Sequence, residues 1–173
     1  MTKKNYIKLA NRAANIQINE LRKIKKIFNN SFINAVDLIL NTRGKVVCAG
    51  IGKSGLIARK VSATFSSIGI PSFFCDPVSA LHGDLGQLEK KDILIIFSYS
   101  GNTSELTNML KYANRYRIKI IGVASKSDSI LMKASDIKLL LPKVLESDVT
   151  GMVPTSSTSI SLLLGDCLAT TVM

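Results

Sequence analysis

The sequence predicts an α/β fold: a parallel β-sheet covered by helices on both faces. Three observations carry that reading. Short apolar runs rich in Val and Ile alternate with helix-period segments from residue 46 onward. Those runs are nearly continuous in apolar character, as in strands buried on both sides, rather than alternating with polar residues. Two of them, Val46-Val47-Cys48-Ala49 and Ile95-Ile96-Phe97, stop at loops of small and hydroxyl residues, each followed by a helix-like pattern. A chain of 173 residues is one domain of ordinary size, long enough for a real core.

Taken in order, Asn5–Asn29 reads as one long amphipathic helix, because Ile7, Ala14, Ile18, Leu21 and Phe28 recur at three-, four- and seven-residue steps. A second helix is expected near Phe32–Leu40, with Gly44 after it. Strands follow at Val46–Ala49, Ser72–Cys75, Ile93–Phe97, Ile118–Val123 and Ile137–Leu141, separated by helices near Gly55–Ile68, Thr103–Tyr116 and Ser127–Lys133. A last helix begins at Ser157 or Thr158 and stays apolar up to Val172-Met173. An apolar end without a polar cap predicts a packing partner such as a second subunit, or a longer natural chain. No repeat, linker or low-complexity segment interrupts the pattern. Residues 1–44 therefore read as a helical segment of the same domain, and 45–173 as its core.

Composition excludes several classes. Hydrophobic residues make up 46% of the chain, yet no run approaches the roughly 20 apolar residues that a membrane helix needs. The basic start, Met1-Thr2-Lys3-Lys4-Asn5, leads into no signal-peptide core. Cys48, Cys75 and Cys167 are odd in number and form no CxxC pair, so reduced, mostly buried thiols and a cytoplasmic setting are expected. The net charge of +11 is concentrated in residues 1–45, where ten Lys/Arg stand against Glu20 and Asp37. A nucleic-acid patch is one reading. The joint richness in Lys, Asn and Ile, with no recognition-helix pattern, favours a compositional bias and no nucleic-acid partner. The charge would still attract an anionic sugar phosphate.

The two loops hold the chemistry. Ser98, Ser100 and Thr103 place three hydroxyls within six residues of a strand end. Backbone N–H groups and hydroxyls at a helix start suit a phosphomonoester. Gly50-Ile51-Gly52-Lys53-Ser54-Gly55 also fits the dinucleotide pattern GxGxxG, with Asp76 placed as a ribose-binding acid. Lys53 and Ser54 in the turn, and a second hydroxyl loop with no role in a dinucleotide site, count against that; no cofactor is expected. A Walker A loop fails because Val47 stands where its first Gly belongs. Lys53 is either a solvated loop lysine or a partner for a bound anion. Glu105 is either a ligand-facing acid or the second half of a capping box with Asn102. Glu146, between the last strand and last helix, is either a surface carboxylate or a reacting group. His82 is the single histidine, so a metal site is not expected. The run Pro154-Thr155-Ser156-Ser157-Thr158 opens a helix, and its hydroxyls cap it, reach a ligand, or both.

Four segments together carry a family resemblance: Gly50–Gly55, His82-Gly83-Asp84-Leu85-Gly86, Ser98-Tyr99-Ser100-Gly101-Asn102-Thr103-Ser104-Glu105, and Pro154–Thr158. In that order, from about residue 5 to residue 173, they resemble the sugar isomerase (SIS) domain, and within it the bacterial D-arabinose 5-phosphate isomerases. The serine-rich loop is common to SIS domains; the His-Gly-Asp-Leu-Gly and Pro-Thr-Ser-Ser-Thr stretches are the specific ones. The resemblance implies a three-layer α/β/α sandwich with a five-stranded parallel, flavodoxin-like doubly wound sheet. It implies a homotetramer with active sites between subunits. It also implies interconversion of D-ribulose 5-phosphate and D-arabinose 5-phosphate, for 3-deoxy-D-manno-octulosonate and lipopolysaccharide synthesis. By matched positions, Ser54, Ser98, Ser100 and Thr103 would hold the phosphate, joined by Thr155 and Ser156. Lys53, Glu105 and Glu146 would be the charged active-site groups, and His82 would reach over from a neighbouring subunit. The sequence departs from the family in having Leu145-Glu146-Ser147-Asp148-Val149 where Lys-Glu-Ala-Cys-Pro is usual. It stops before the family's His-Pro-Gly-Gly segment and carries no cystathionine-β-synthase (CBS) modules.

An aldose–ketose isomerisation needs a base to move a proton between C1 and C2 and a group to steady the enediolate. Glu146 is the expected base, Glu105 the second choice, and Lys53 the group that meets developing negative charge. Two other readings stand beside it: another SIS isomerase such as 3-hexulose-6-phosphate isomerase, and a sugar-phosphate-binding or regulatory module without catalysis.

Overall fold

Five parallel strands form one sheet in the order β2-β1-β3-β4-β5, with β1 at Val46–Gly50, β2 at Ser72–Cys75, β3 at Ile93–Phe97, β4 at Lys119–Ala124 and β5 at Ile137–Leu140. This computed structural model describes residues 3–173; Met1 and Thr2, from the basic start of the sequence, lie outside it. Six α-helices cover the sheet: α1 Lys3–Leu21, α2 Asn30–Leu40, α3 Gly52–Ser67, α4 Leu106–Tyr116, α5 Ile130–Ala134 and α6 Ser156–Thr171. The expected α/β fold with a five-stranded parallel sheet is the fold observed.

Strand alternation sorts the core into two layers. Val46, Cys48, Ile93, Ile95, Ile121 and Val123 pack with Ala58, Val61 and Phe65 of α3 and Ile160, Leu164 and Leu168 of α6. Ile24, Ile27, Ala35 and Ile39, from before β1, are buried in that same cluster. Val47, Ala49, Leu94, Ile96 and Ile120 face the other way, onto Leu106, Met109 and Leu110 of α4 and Leu131 of α5. Every residue of β1 and β3 is buried. On the first layer α3 and α6 come very close: a Cβ on Gly165 would overlap Val61 Cγ2.

The structure corrects several boundaries. The long first helix ends at Leu21, not Asn29, and passes into a 3-10 turn at Arg22–Ile27. A three-residue repeat puts Ile24 and Ile27 on one face, and both are buried. Asn29 is instead the cap of α2, accepting from the Ser31 N–H at 2.9 Å. α3 starts at Gly52, earlier than expected, while α5 starts at Ile130, where Ser129 accepts from Met132 N–H. α4 begins only at Leu106, because residues 103–105 form a turn closed by Leu106 N–H to Thr103 O at 3.2 Å. The capping box of Asn102 and Glu105 does not form: Asn102 Oδ1 accepts from Ile130 N–H and Glu105 accepts from Ser104 Oγ. His82–Gly86 has no expected element, yet it lies in two 3-10 turns, Ser79–His82 and Asp84–Gln87, hinged at Gly83. Cys48 and Cys75 are buried and Cys167 is half-buried, all three as free thiols. Burial pushes the Cys48 thiol up to about 12 and the Cys75 thiol to about 11.

Candidate active site

The strand order reverses direction between β1 and β3, and these two strands pair directly, with Gly50 opposite Phe97. Crevices outside the carboxyl ends of such strands are where open α/β sheets bind ligands. The loops after Gly50 and after Phe97 therefore leave the sheet side by side. They form one wall of a cleft of about 340 Å³, whose other wall is Glu146 and the first turns of α6.

The first loop is tight by necessity. A Cβ at Gly50 would lie 2.8 Å from Ser54 O and 2.9 Å from Phe97 O. The chain then enters α3 at once, with no side-chain cap at Ile51. The first N–H groups of this 16-residue helix, around Lys53 and Ser54, are the unsatisfied donors of a helix start. Lys53 and Ser54 both line the cleft. Lys53 forms no ion pair among the described residues.

The second loop is shaped by its own hydroxyls. Ser98 is almost fully buried; its Oγ accepts the Gly101 N–H at 3.1 Å and pairs with Thr103 Oγ1 at 2.9 Å. Gly101 has φ +68, and a Cβ there would overlap Ser129 Oγ. Ser100 Oγ accepts from Asn102 N–H at 3.3 Å. The N–H groups of Tyr99, Ser100 and Thr103 take part in none of the hydrogen bonds of the described residues. Ser98, Tyr99, Ser100 and Thr103 all line the cleft. The result is a cup of free donors and hydroxyls beside a helix start, suited to a dianion.

Glu146 lies in the cleft lining, but not as a bare carboxylate. Its Oε2 accepts from Thr155 N–H at 2.8 Å, Thr155 Oγ1 at 3.0 Å and Ser157 N–H at 3.3 Å, which caps α6 from outside the helix. Oε1 accepts none of the described hydrogen bonds. Burial alone would raise this carboxyl; the bonds from Ser157 and Thr155 outweigh it and hold the group below its ordinary value. Tyr99 ties the two walls together: its hydroxyl donates to Pro142 O at 3.3 Å and accepts from Val144 N–H at 2.9 Å. Burial raises the Tyr99 phenol, and the charges of Glu146 and Glu20 add to that.

Of the residues singled out from the sequence, the cleft brings together Lys53, Ser54, Ser98, Ser100, Thr103 and Glu146. The other four lie outside its lining. Glu105 is exposed and bonded to Ser104 at 2.8 Å, because the turn at residues 103–105 points it outward of α4. The Glu105 backbone N–H and the Ser104 hydroxyl hold the Glu105 carboxyl below its usual value. Thr155 is occupied with Glu146 and Ser147. Ser156 is fully buried, with an unpartnered hydroxyl. His82 is exposed in its 3-10 turn. In place of Thr155 and Ser156, α6 presents Ser157, Thr158 and Ser161. Starting the helix at Ser156 puts those three on one face, so a boundary one or two residues off is enough to choose the wrong hydroxyls. Sequence reasoning also misses Tyr99, although it sits between two of the serines. Among the described residues no group of three or more His, Cys, Asp or Glu could hold a metal ion.

Comparison with known proteins shows the family and agrees with the fold. The SIS domain family matches residues 39–171. Arabinose 5-phosphate isomerase KdsD of Escherichia coli K12 is 39% identical over 149 residues, which is 86% of this chain and 45% of that protein. Arabinose 5-phosphate isomerase GutQ of the same strain is 37% identical over 158 residues, 91% of this chain and 49% of that protein. The chain spans about half the length of the curated relatives it matches. A solved structure of an Escherichia coli CFT073 protein in complex with arabinose 5-phosphate superposes with a TM-score of 0.95 at 32% identity, covering 99% of this chain and 92% of that one.

Proposed function

The chain belongs to the SIS domain family, and from that premise we propose that its cleft binds a five-carbon sugar phosphate and interconverts D-arabinose 5-phosphate with D-ribulose 5-phosphate through an enediol. One observation carries the reading: the β1/β3 crevice sets free loop donors, the hydroxyls of Ser100 and Thr103, and Lys53 on one side and a carboxylate on another. The relative solved with arabinose 5-phosphate supports the same ligand class. The phosphate rests against the loops after β1 and β3, and Ser54, Ser98, Ser100 and Thr103 shape that end. Ser157 and Thr158 replace Thr155 and Ser156 as the hydroxyls α6 offers the sugar. Glu146 is the base, moving a proton between C1 and C2 through its uncommitted oxygen. Glu105, outside the lining, is not a candidate in its own subunit. Lys53 meets the charge that develops on the enediolate. The finer reading extends to a homotetramer in the cytoplasm, with His82 completing a neighbour's cleft and the product supplying 3-deoxy-D-manno-octulosonate for lipopolysaccharide.

An enediol route washes solvent deuterium into C2, so exchange separates an isomerase from a binding module. Glu146→Gln keeps the shape and an acceptor for α6 but removes the base; it should abolish exchange with affinity within a few-fold. Ser100→Ala with Thr103→Ala should weaken binding of arabinose 5-phosphate by about 1–3 kcal/mol in calorimetry. Exchange only in a longer form carrying a His-Pro-Gly-Gly segment would make this chain the binding core of an isomerase, and tight binding with exchange in neither form would leave a sugar-phosphate sensor instead. The acidic limb of exchange should lie below the ordinary carboxylate range, because the folded Glu146 carboxyl is depressed. By the same linkage, the stability from its bonds is present above the unfolded pKa and is lost as pH falls through the folded one.

A further inference from the structure

Glu146 sits on a loop, and what holds that loop is the first helix. Glu20 of α1 is buried, and its Oε2 accepts the N–H of Leu145 at 3.1 Å. Its charge is met by Lys23 Nζ at 2.5 Å, and Lys23 also donates to Lys143 O at 3.4 Å. One turn earlier, Gln17 Nε2 donates to Ser147 Oγ at 3.3 Å, and Gln17 Oε1 accepts from Ser159 Oγ of α6 at 3.0 Å. Ser147 Oγ donates in turn to Thr155 Oγ1 at 3.0 Å, whose own hydroxyl donates to Glu146 Oε2 at 3.0 Å. Residues 17 and 20 are three apart, so they share one helix face. That face grips the chain on both sides of Glu146.

We propose that Gln17 and Glu20 are positioning residues for Glu146: α1 fixes the neighbours of the carboxylate so that one oxygen stays on the α6 cap and the other stays available to the cleft. This rests on the reading of Glu146 as the base. Neither residue lines the cleft, and neither is hydrogen-bonded to the loops after β1 and β3. A loop carboxylate needs such support, since a shift of about 1 Å can cost on the order of 100-fold in rate. The titratable groups set around Glu146 are Glu20 from α1, Lys23 from the 3-10 turn that follows it, Tyr99 from the β3–α4 loop, and Lys53 in the shared cleft. Gln17 carries no charge, so removing it changes geometry without changing that field.

The test is Gln17→Ala in the full chain, with Glu20→Ala and Glu20→Gln beside it. The Glu146 carboxyl is titrated by carbon NMR, deuterium exchange into arabinose 5-phosphate is timed, and affinity is measured by calorimetry. Gln17→Ala should move the Glu146 titration up toward the ordinary value. It should also slow exchange by about 10- to 100-fold while affinity stays within about threefold, as for a displaced base beside an intact phosphate cup. Glu20→Ala should slow exchange similarly, and Glu20→Gln, which keeps an acceptor for Leu145 N–H, should restore most of it. If Glu20→Ala does not fold, Gln17→Ala decides alone. An unmoved Glu146 titration in Gln17→Ala overturns the proposal, whatever exchange does. If neither the parent chain nor a longer form carrying a His-Pro-Gly-Gly segment shows exchange, the isomerase reading falls, and the titration still decides whether α1 holds Glu146.

Discussion

At Gly101 two constraints coincide. Its φ is +68, where only glycine is comfortable, and any Cβ would strike Ser129 Oγ. The N–H of the same residue is what Ser98 Oγ holds in order to shape the loop. Gly101→Ala should therefore cost about 2–4 kcal/mol in denaturant unfolding, the left-handed backbone and the overpacking together. It should weaken sugar-phosphate binding by more than Ser100→Ala alone, because the whole cup is displaced. A binding loss without a stability loss would mean that the loop relaxes around the new methyl. Asp148 shows how far hydrogen bonds can move a half-buried acid against the pull of burial. It accepts from the hydroxyl and N–H of Thr150 and from the N–H groups of Met152 and Val153, and lies at about 2.

Between elements, α3 packs tightly against α6. Gly165→Ala would drive a methyl into Val61, a β-branched side chain with little freedom to turn. We expect a loss of about 1–3 kcal/mol in chemical denaturation, partly recovered by combining it with Val61→Ala. Strict additivity of the two would show that the helices simply move apart. Elements are also where the sequence is most readable. β2 and β3 are legible to the residue: β3 is a fully buried apolar run bounded by polar residues, and β2, half-buried at the sheet edge, is a short Phe-Phe-Cys run set between Pro71 and Asp76-Pro77. The break of the first helix at Leu21 is not, because Ile24 and Ile27 fit either helix type until the core they fill is known. The site is legible where it is local. Ser98, Ser100, Thr103, Lys53 and Ser54 each follow a strand, and strand ends converge. Motif alone assigns Glu105, Thr155 and Ser156 to the ligand, and their orientation depends on where α4 and α6 begin, a matter of one to three residues. The capping role of Glu146 is invisible in the sequence because it joins residues nine and eleven positions apart through a loop with no regular geometry.

For the molecule as a whole, assembly is the open consequence of its surface. α1 exposes Tyr6, Ile7 and Ile18, and the segment before α6 exposes Val149 and Met152 at 80% and 77%. Large apolar side chains exposed on these two segments are the surface a second copy would cover. His82 lies outside the lining of its own chain's cleft, and we assign it to a neighbour's. Light scattering should report a tetramer; a stable monomer at micromolar concentration would remove both the tetramer and the role given to His82. The strand order has a further effect, on folding. Lys53 and Ser98 are brought together only when β1 has paired with β3 across an intervening strand and helix, so the cleft does not exist in any locally folded fragment. A ligand that sees only the finished sheet draws the whole equilibrium toward it, by about 2.7 kcal/mol at a hundred times its dissociation constant. The abundance of folded chain is thereby tied to the supply of the molecule that fills the cleft.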